Sequence, residues 1–442
     1  MSKAGPEVGG GRPAGAARRL CLLPTAYCLL LLTGCAPSPS VRQAENGVAA
    51  FFAGDYNGAQ RRLAPVATQT DENFVLNNVR LGSAALADYD LDTAESAFLR
   101  AYEVINSVGV NDGGRSLGAA LVSENLKVWK GEPYERAMAN FYLGLVYYMR
   151  HDYANARAAF ENSLFKLRDY GEGKASPGES ADKADQYRVV ESDFALGYLM
   201  LAKCWQRLGD EDKALKYFNR VPELRNYLLP LGDPQTNKKS NLLLVVDFGF
   251  APRKVTSRDG AFVGFRPTPR EAGPVPPPVV IVDGSPVDLK GRGRPPVDLV
   301  SLAQERQWQD IDTIRTVKTT IGTGLIAGGA YQSLRSRNGN GQAIGLGLVA
   351  AGLLLKAGSH ADVRQWEMLP RTTFVLPLDL EPGRHDVTVE FPAVPGLRQT
   401  WRGLVVPNEG EATYYIRMER FNKSHTWPPP AVAGEDPPPP QQ

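Results

Sequence analysis

The residues able to do chemistry are few and dispersed. Four histidines, His151, His360, His385 and His425, stand far apart, with no second ligand at helical or hairpin spacing to build a metal site. His151 falls in a turn between two helical stretches and His385 in a β-turn, where solvated imidazoles are expected. Cys21, Cys28 and Cys35 cluster around one apolar N-terminal stretch, which leaves Cys204 alone in the body. A single body cysteine forms no internal disulfide. With no base partner nearby in sequence, Cys204 reads as a small apolar residue on a packed helix. No Gly-x-Ser-x-Gly elbow occurs. Gly322-Thr323-Gly324 lacks the third glycine of a dinucleotide loop, and no Lys-Ser/Thr pair follows a glycine run. Carboxylates are scattered at surface-like positions, so paired-acid chemistry has no signal. The expectation is a chain without catalytic residues, metal or cofactor.

Charge narrows the partners. The chain has 50 Lys and Arg against 48 Asp and Glu. Removing residues 1–34 takes away Lys3, Arg12, Arg18, Arg19 and Glu7 and leaves the remainder within one charge of neutral. No basic field or aromatic-interleaved basic face points to nucleic acid.

The elements that would position a surface begin at the N-terminus. Arg18-Arg19 precede an apolar run, Leu20–Leu32, too short to span a bilayer as a stable helix. Leu32-Thr33-Gly34-Cys35 then resembles the bacterial lipobox. The resemblance implies cleavage before Cys35, a diacylglyceryl thioether on its sulfur and an amide-linked acyl chain such as palmitate. Two or more chains give stable attachment at ~0.8 kcal/mol per buried CH₂. Ala36 rather than Asp follows, which in enterobacterial lipoproteins favours the outer membrane.

From Val41 to about Tyr227 the apolar periodicity is helical. Ala59, Ala94, Ala156 and Ala214 each follow a short turn and precede Leu63, Phe98, Phe160 and Phe218 by four positions. The turns are Ala53–Tyr56, Asp88–Asp90, His151–Tyr153 and Gly209-Asp210, and Leu81-Gly82, Leu143-Gly144 and Leu201-Ala202 lie upstream. This pattern resembles the tetratricopeptide repeat over four units, the first a half-match without the Leu-Gly pair. Ala59 to Ala94 is 35 residues, but the next gaps are 62 and 58, so insertions interrupt the array. The first contains Leu117–Trp129, read as an extra helix; the second, Gly171–Asp185, reads as an exposed loop. Such repeats stack because no helix pair buries its apolar face alone, and first helices line a concave surface that takes peptides. Repeat phase places Tyr148, Met149, Lys203, Gln206 and Arg207 on that lining as partner-binding candidates, with core packing the alternative for Tyr148 and Met149.

After Tyr227 short strands take over: Leu242–Phe250, Phe262–Phe265, Val279–Val282, then Thr373–Leu378 with Val387–Phe391 around Pro382-Gly383, and Trp401–Val406 with Thr413–Met418 around Asn408–Gly410. Each of the last two sets is expected to pair as a hairpin. Between them, Thr320–Ala330 and Gly341–Gly358 are apolar and glycine-rich, with glycines four apart at Gly324/Gly328 and Gly341/Gly345. Small residues at that interval let helices approach closely. A buried helical hairpin, a membrane-contacting element and an oligomerisation element all remain open. Trp129–Phe160 with Ala330–Thr388 is similar to a group of bacterial lipoproteins of uncharacterised function, in which tetratricopeptide-like helices precede a glycine-rich helical segment and a β-rich end. That resemblance brings no catalytic residues.

The expected fold class is α+β multidomain: an N-terminal α-helical tetratricopeptide-like solenoid, then a glycine-rich helical hairpin and a small antiparallel β-sandwich. The expected divisions are a signal peptide at 1–34, an anchored linker at 35–40, repeats at 41–230, strands with the Pro-rich spacer and hairpin at 240–370, a β module at 371–420 and a Pro-rich tail at 421–442. The expected role is a non-enzymatic scaffold in the cell envelope. It is lipid-anchored at Cys35, faces the periplasm from the outer membrane, and binds envelope proteins or peptides. The rivals are an envelope hydrolase or transferase with a site between repeats and β module, and a membrane-inserting element built on the glycine-rich hairpin.

Overall fold

The computed structural model describes residues 5, 38–106, 128–167, 169–171, 188–190, 192–257, 262–268, 273–304, 363–418 and 423–426. The signal segment with Cys35, most of the first insertion, the glycine-rich hairpin, His360 and the Pro-rich tail from residue 427 lie outside the described residues. In chain order the elements are α1 Pro39–Phe52, α2 Tyr56–Ala67, α3 Phe74–Ala87, α4 Leu91–Asn106, α5 Pro133–Met149, α6 Tyr153–Phe165, β1 Asp169–Gly171, β2 Arg188–Val190, α7 Ala195–Arg207, α8 Glu211–Leu224 and α9 Pro234–Lys239. They continue with β3 Leu242–Phe248, β4 Arg253–Ser257, β5 Phe262–Arg266, β6 Val279–Val282, β7 Ser285–Pro286, α10 Leu299–Gln304, β8 Thr372–Leu378, β9 Gly383–Glu390, β10 Arg398–Val406, β11 Ala412–Arg417 and β12 Lys423–Thr426.

The first eight helices form four hairpins built on one device. Each first helix ends in a residue with positive φ, Gly54, Tyr89, His151 or Gly209 (φ 74°, 62°, 61° and 80°). An aspartate follows in every case and caps the second helix through its carboxylate. Asp55 accepts from Gly58 N at 2.9 Å, and Asp90, Asp152 and Asp210 accept from Thr93, Asn155 and Lys213 N, each at 3.1 Å. The buried alanine comes four residues later and the large side chain four beyond that. In the first three units a glycine sits opposite the large side chain. A Cβ at Gly82 or Gly144 would meet the ring of Phe98 or Phe160 at 2.8 Å, and one at Gly47 would meet Leu63 Cγ at 2.6 Å. The first unit therefore has its small residue after all, at Gly47, although no leucine precedes it. Consecutive helices pack against one another along the whole series from α1 to α8.

The β-rich part differs from the expected hairpins. β3 is the centre of a three-stranded sheet, parallel to β11 and antiparallel to β8. A second sheet has the order β12-β10-β9-β6-β7, with β12 parallel to β10. Thr373–Leu378 and Val387–Phe391 therefore belong to different sheets, as do Trp401–Val406 and Thr413–Met418. Both faces of β8 and β11 are apolar, so each lies flat between two covering layers instead of folding back edge to edge. One face of the three-stranded sheet, Leu242, Leu244, Val246, Phe374, Leu376, Tyr414 and Ile416, packs on Val280, Val387, Val389, Trp401 and Leu404 of the second sheet. The other face, Leu243, Val245, Val375 and Tyr415, joins the core of the helices. Alternation along each strand produces this division, and it explains why all seven residues of β3 are buried. The expected boundary at 370/371 is not a structural one, because β3 pairs with strands from beyond it.

Candidate interaction face of the helical repeats

The faces that α3, α5 and α7 turn inward are covered by the chain itself. Residues 364–367 run across α3 and α5. Trp366 is fully buried against Phe98 and Tyr142, its ring centroid 5.7 Å from that of Tyr142. Its amide donates to Glu135 Oε1 at 2.7 Å and its indole N–H to Ser83 Oγ at 3.1 Å. Arg80 pairs with the next residue, Glu367. Arg364 reaches Glu72 O and Asn73 Oδ1, and its own carbonyl accepts from the Trp129 indole and from Lys254 Nζ. Pro133 and Glu135 start α5 as a first-turn proline and capping-box acid, with Glu135 Oε2 accepting from Glu132 N at 2.7 Å. The remaining oxygen of Glu135 is what takes the Trp366 amide.

Toward the C-terminal ends of the same helices the cover is the three-stranded sheet. Asp247 points from β3 into the helices, where Oδ2 accepts from Tyr142 and Tyr415 (2.5 and 2.7 Å) and Oδ1 from Thr373 (2.5 Å). Burial pushes its carboxyl up, against the opposing pull of Arg417 and the three hydroxyls.

A second buried carboxylate, Glu411, precedes β11. Its Oε1 lies 2.9 Å from Lys203 Nζ, 3.3 Å from Arg207 Nη2 and 2.5 Å from Ser240 Oγ, and its Oε2 accepts from Tyr148 at 2.8 Å. Burial alone would raise this carboxyl, but Lys203 and then Arg207 outweigh it and hold it below the usual range. One carboxylate thus faces two cations. Arg207 stays charged, so Lys203 is the surplus cation of the buried group, and burial pushes its ammonium down. Lys203 Nζ also lies 3.3 Å from Asn237 Oδ1 on α9. The carboxamide is fixed in that sense because Nδ2 donates to Leu231 O (2.8 Å) and Asp233 O (3.0 Å).

Of the residues that repeat phase put on the lining, Tyr148, Lys203, Gln206 and Arg207 meet other parts of the chain. Tyr148 and Lys203 are buried under Glu411, Arg207 bonds Ser240 O at 3.2 Å, and Gln206 bonds Pro234 O at 3.1 Å. Met149 is half-buried against the helical core. As an open lining for a separate partner these positions are corrected: the chain's own β-rich part occupies the face. Sequence reasoning missed the residues that do the covering. Asp247 had a usable signal, a lone carboxylate inside the apolar run Leu242–Phe250, whereas Glu411, Asn237, Trp366 and Glu367 had none without the fold. Cys204 is buried as expected, and burial pushes its thiol up.

His385 lies on β9, away from this face. Nδ1 meets Asp283 Oδ2 at 2.6 Å and Nε2 meets Glu381 O at 2.7 Å. A carbonyl only accepts, so Nε2 carries a proton, and the carboxylate favours a second on Nδ1. Burial lowers this imidazole, but the Asp283 and Glu381 hydrogen bonds outweigh it and the net direction is up. Among the described residues no group of three His, Cys, Asp or Glu is arranged to hold a metal ion, and no helix is long and apolar enough to cross a membrane. An open cleft of about 630 Å³ lies on the outer side of the repeats, lined by Phe165 of α6, Tyr198 of α7, and Tyr217 and Arg220 of α8.

No protein-family model matches the chain, and no curated protein matches it. Solved structures of MamA are similar over part of it. One is 19% identical, with a TM-score of 0.28, over 46% of this chain and 86% of that one. A second is 18% identical, TM-score 0.20, over 43% and 93%. A third, MamA AMB-1, is 17% identical, TM-score 0.19, over 42% and 98%. Similarity at this level carries no functional argument; the helical hairpins stand on their own geometry.

Proposed function

We propose that the chain is a non-enzymatic scaffold of the bacterial cell envelope, anchored by lipid on Cys35 and binding protein partners through its helical repeats. The observation that carries the binding role is that the repeats already hold a polypeptide. Residues 364–367 cross α3 and α5 with a buried tryptophan anchor, a paired acid and backbone hydrogen bonds, as a bound peptide would. With the inner face filled, the outer faces of α6 and α8 are left for a partner, and Phe165 and Leu215 are exposed there (44% and 48%). The anchor rests on the lipobox at Leu32–Cys35, and an outer-membrane, periplasm-facing location rests on Ala36. Envelope proteins or peptides are the partner class.

The test is a photo-crosslinking residue at Leu215 in cells, followed by mass spectrometry, with the same residue at Arg384 on the far sheet as control. A discrete envelope protein captured from Leu215 and not from Arg384 is the expected result. Failure to capture any envelope protein from Leu215 counts against the scaffold. Cys35→Ser tests the anchor separately: the variant should leave the membrane fraction, and its retention through a salt wash would refute lipidation there.

A further inference from the structure

The buried Lys203, Asn237 and Glu411 form a group that neither packing nor partner binding requires. A primary amine, a primary carboxamide and a carboxylate meet in a water-excluded site, at 3.3 Å from amine to carboxamide oxygen and 2.9 Å from amine to carboxylate, with all three side chains buried. These are the reactants and the proton carrier for amide exchange. We propose that Lys203 and Asn237 join in an intramolecular isopeptide bond, formed by the folded chain with Glu411 as the general acid–base.

The step balances without any co-reactant. Neutral Lys203 Nζ attacks Asn237 Cγ, and the amine proton passes to Glu411 Oε1. Glu411 then gives that proton to Asn237 Nδ2. The Cγ–Nδ2 bond breaks and ammonia leaves, so one amide replaces another with no change of oxidation state. The surroundings favour each part. The surplus positive charge beside Arg207 and the buried setting favour the neutral amine. The bonds of Nδ2 to Leu231 O and Asp233 O turn the carbonyl side of the carboxamide toward Lys203. Folding holds the amine against the carboxamide, so a reaction that is slow between free groups becomes effectively unimolecular.

The molecule supplies its own contrast. Lys254 is equally buried, with Glu132 and Glu135 each at 3.3 Å, but its Nζ hydrogen-bonds a backbone carbonyl, Arg364 O at 2.6 Å, where Lys203 meets a carboxamide. It should remain a free amine. The proposed bond would tie α7 to α9 across 34 positions, beneath the edge of β11.

Peptide mapping of the purified full chain by mass spectrometry decides the matter. The expected result is a branched peptide joining the Lys203 and Asn237 segments. It should be lighter by one ammonia than the two linear peptides together, with no tryptic cleavage after Lys203. A chain cut normally after Lys203, with both peptides linear, overturns the proposal. So does an ammonia loss confined to the Asn237 peptide, which is succinimide formation and needs no lysine. Glu411→Gln keeps the side-chain shape and removes the proton carrier, and should give linear peptides. A branched peptide undiminished in that variant refutes the role of Glu411. Because the first readout is on the unaltered chain, a variant that fails to fold leaves the proposal decidable.

Discussion

Arg80 on α3 and Glu367, 287 positions away, close on each other over the concave side of the repeats. Arg80 Nε donates to Glu367 Oε2 at 3.0 Å, and Nη2 meets the other oxygen. The arginine side chain is 11% exposed and the glutamate 33%, so the pair is partly desolvated and bidentate. A double-mutant cycle of Arg80→Ala and Glu367→Ala should give a coupling energy of about 1–3 kcal/mol in denaturant unfolding. A coupling near zero would mean that the pair is a bystander to Trp366.

Trp366 itself should dominate that contact. Trp366→Ala removes a fully buried ring and takes the indole N–H away from Ser83 Oγ, while the backbone amide bond to Glu135 is kept. A loss of about 3–5 kcal/mol is expected from the cavity alone. Urea titration followed by near-ultraviolet circular dichroism measures it, and a loss under 1 kcal/mol would show that residues 364–367 rest on the repeats without holding them.

Gly82 and Gly144 are needed for contact distance. Both are helical, and a Cβ at either would meet a phenylalanine ring at 2.8 Å. Gly144→Ala should therefore destabilise by about 1–3 kcal/mol through overpacking, although alanine is the better helix former. Thermal unfolding checks the sign: a rise in melting temperature would mean that propensity outweighs the clash.

Two buried carboxylates should respond to acid in opposite directions. Glu411 is held below the ordinary glutamate value of 4.5, so its contribution is complete above that value and is lost as pH falls through its folded pKa. Asp247 is pushed above 3.8 by burial, so the folded state takes up its proton more readily and the contribution of this group grows as pH falls. Stability measured between pH 3 and 6 should flatten on its acid side in Glu411→Gln and steepen in Asp247→Asn. Glu411→Gln, which leaves Arg207 without its buried carboxylate, should itself cost about 3–5 kcal/mol near neutrality, the range for breaking a buried pair.

His385 predicts the reverse window. Its folded pKa is raised above 6.5, so its contribution is present below that value and is lost as pH rises through the folded pKa. The imidazole resonances of His385 should titrate above the usual range, and Asp283→Asn should bring them back down. A midpoint at or below 6.5 in the unaltered chain would contradict the doubly donating ring.

The helical half was legible because its signals are local. The Asp caps at 55, 90, 152 and 210, the alanines four residues on and the large side chains beyond repeat at fixed offsets, so one period locates every turn. The strands were legible singly for the same reason. Their pairing was not, since Pro382-Gly383 reads identically whether the chain turns within a sheet or passes from one sheet to the next. What β8 does is set by β3, 124 residues before it at the nearest pair, Phe248 and Thr372. The candidate face suffered most. Lys203 and Arg207 were placed on the correct side of α7, yet whether that side meets solvent depends on Glu411, more than 200 positions later.

The position of β3 between β8 and β11 also sets an order of events during synthesis. The repeats and β3 leave the ribosome long before Thr372, and β11, which ends at Arg417, follows later still. Until β8 emerges β3 has neither neighbour and Asp247 lacks Thr373, and until β11 follows Asp247 still lacks Tyr415 and Lys203 lacks Glu411. The nascent chain must carry an apolar strand and an unmatched amine until these partners emerge. That is the interval in which a holding chaperone would be needed, and a premature stop before residue 411 should yield a chain that is degraded rather than a shorter scaffold.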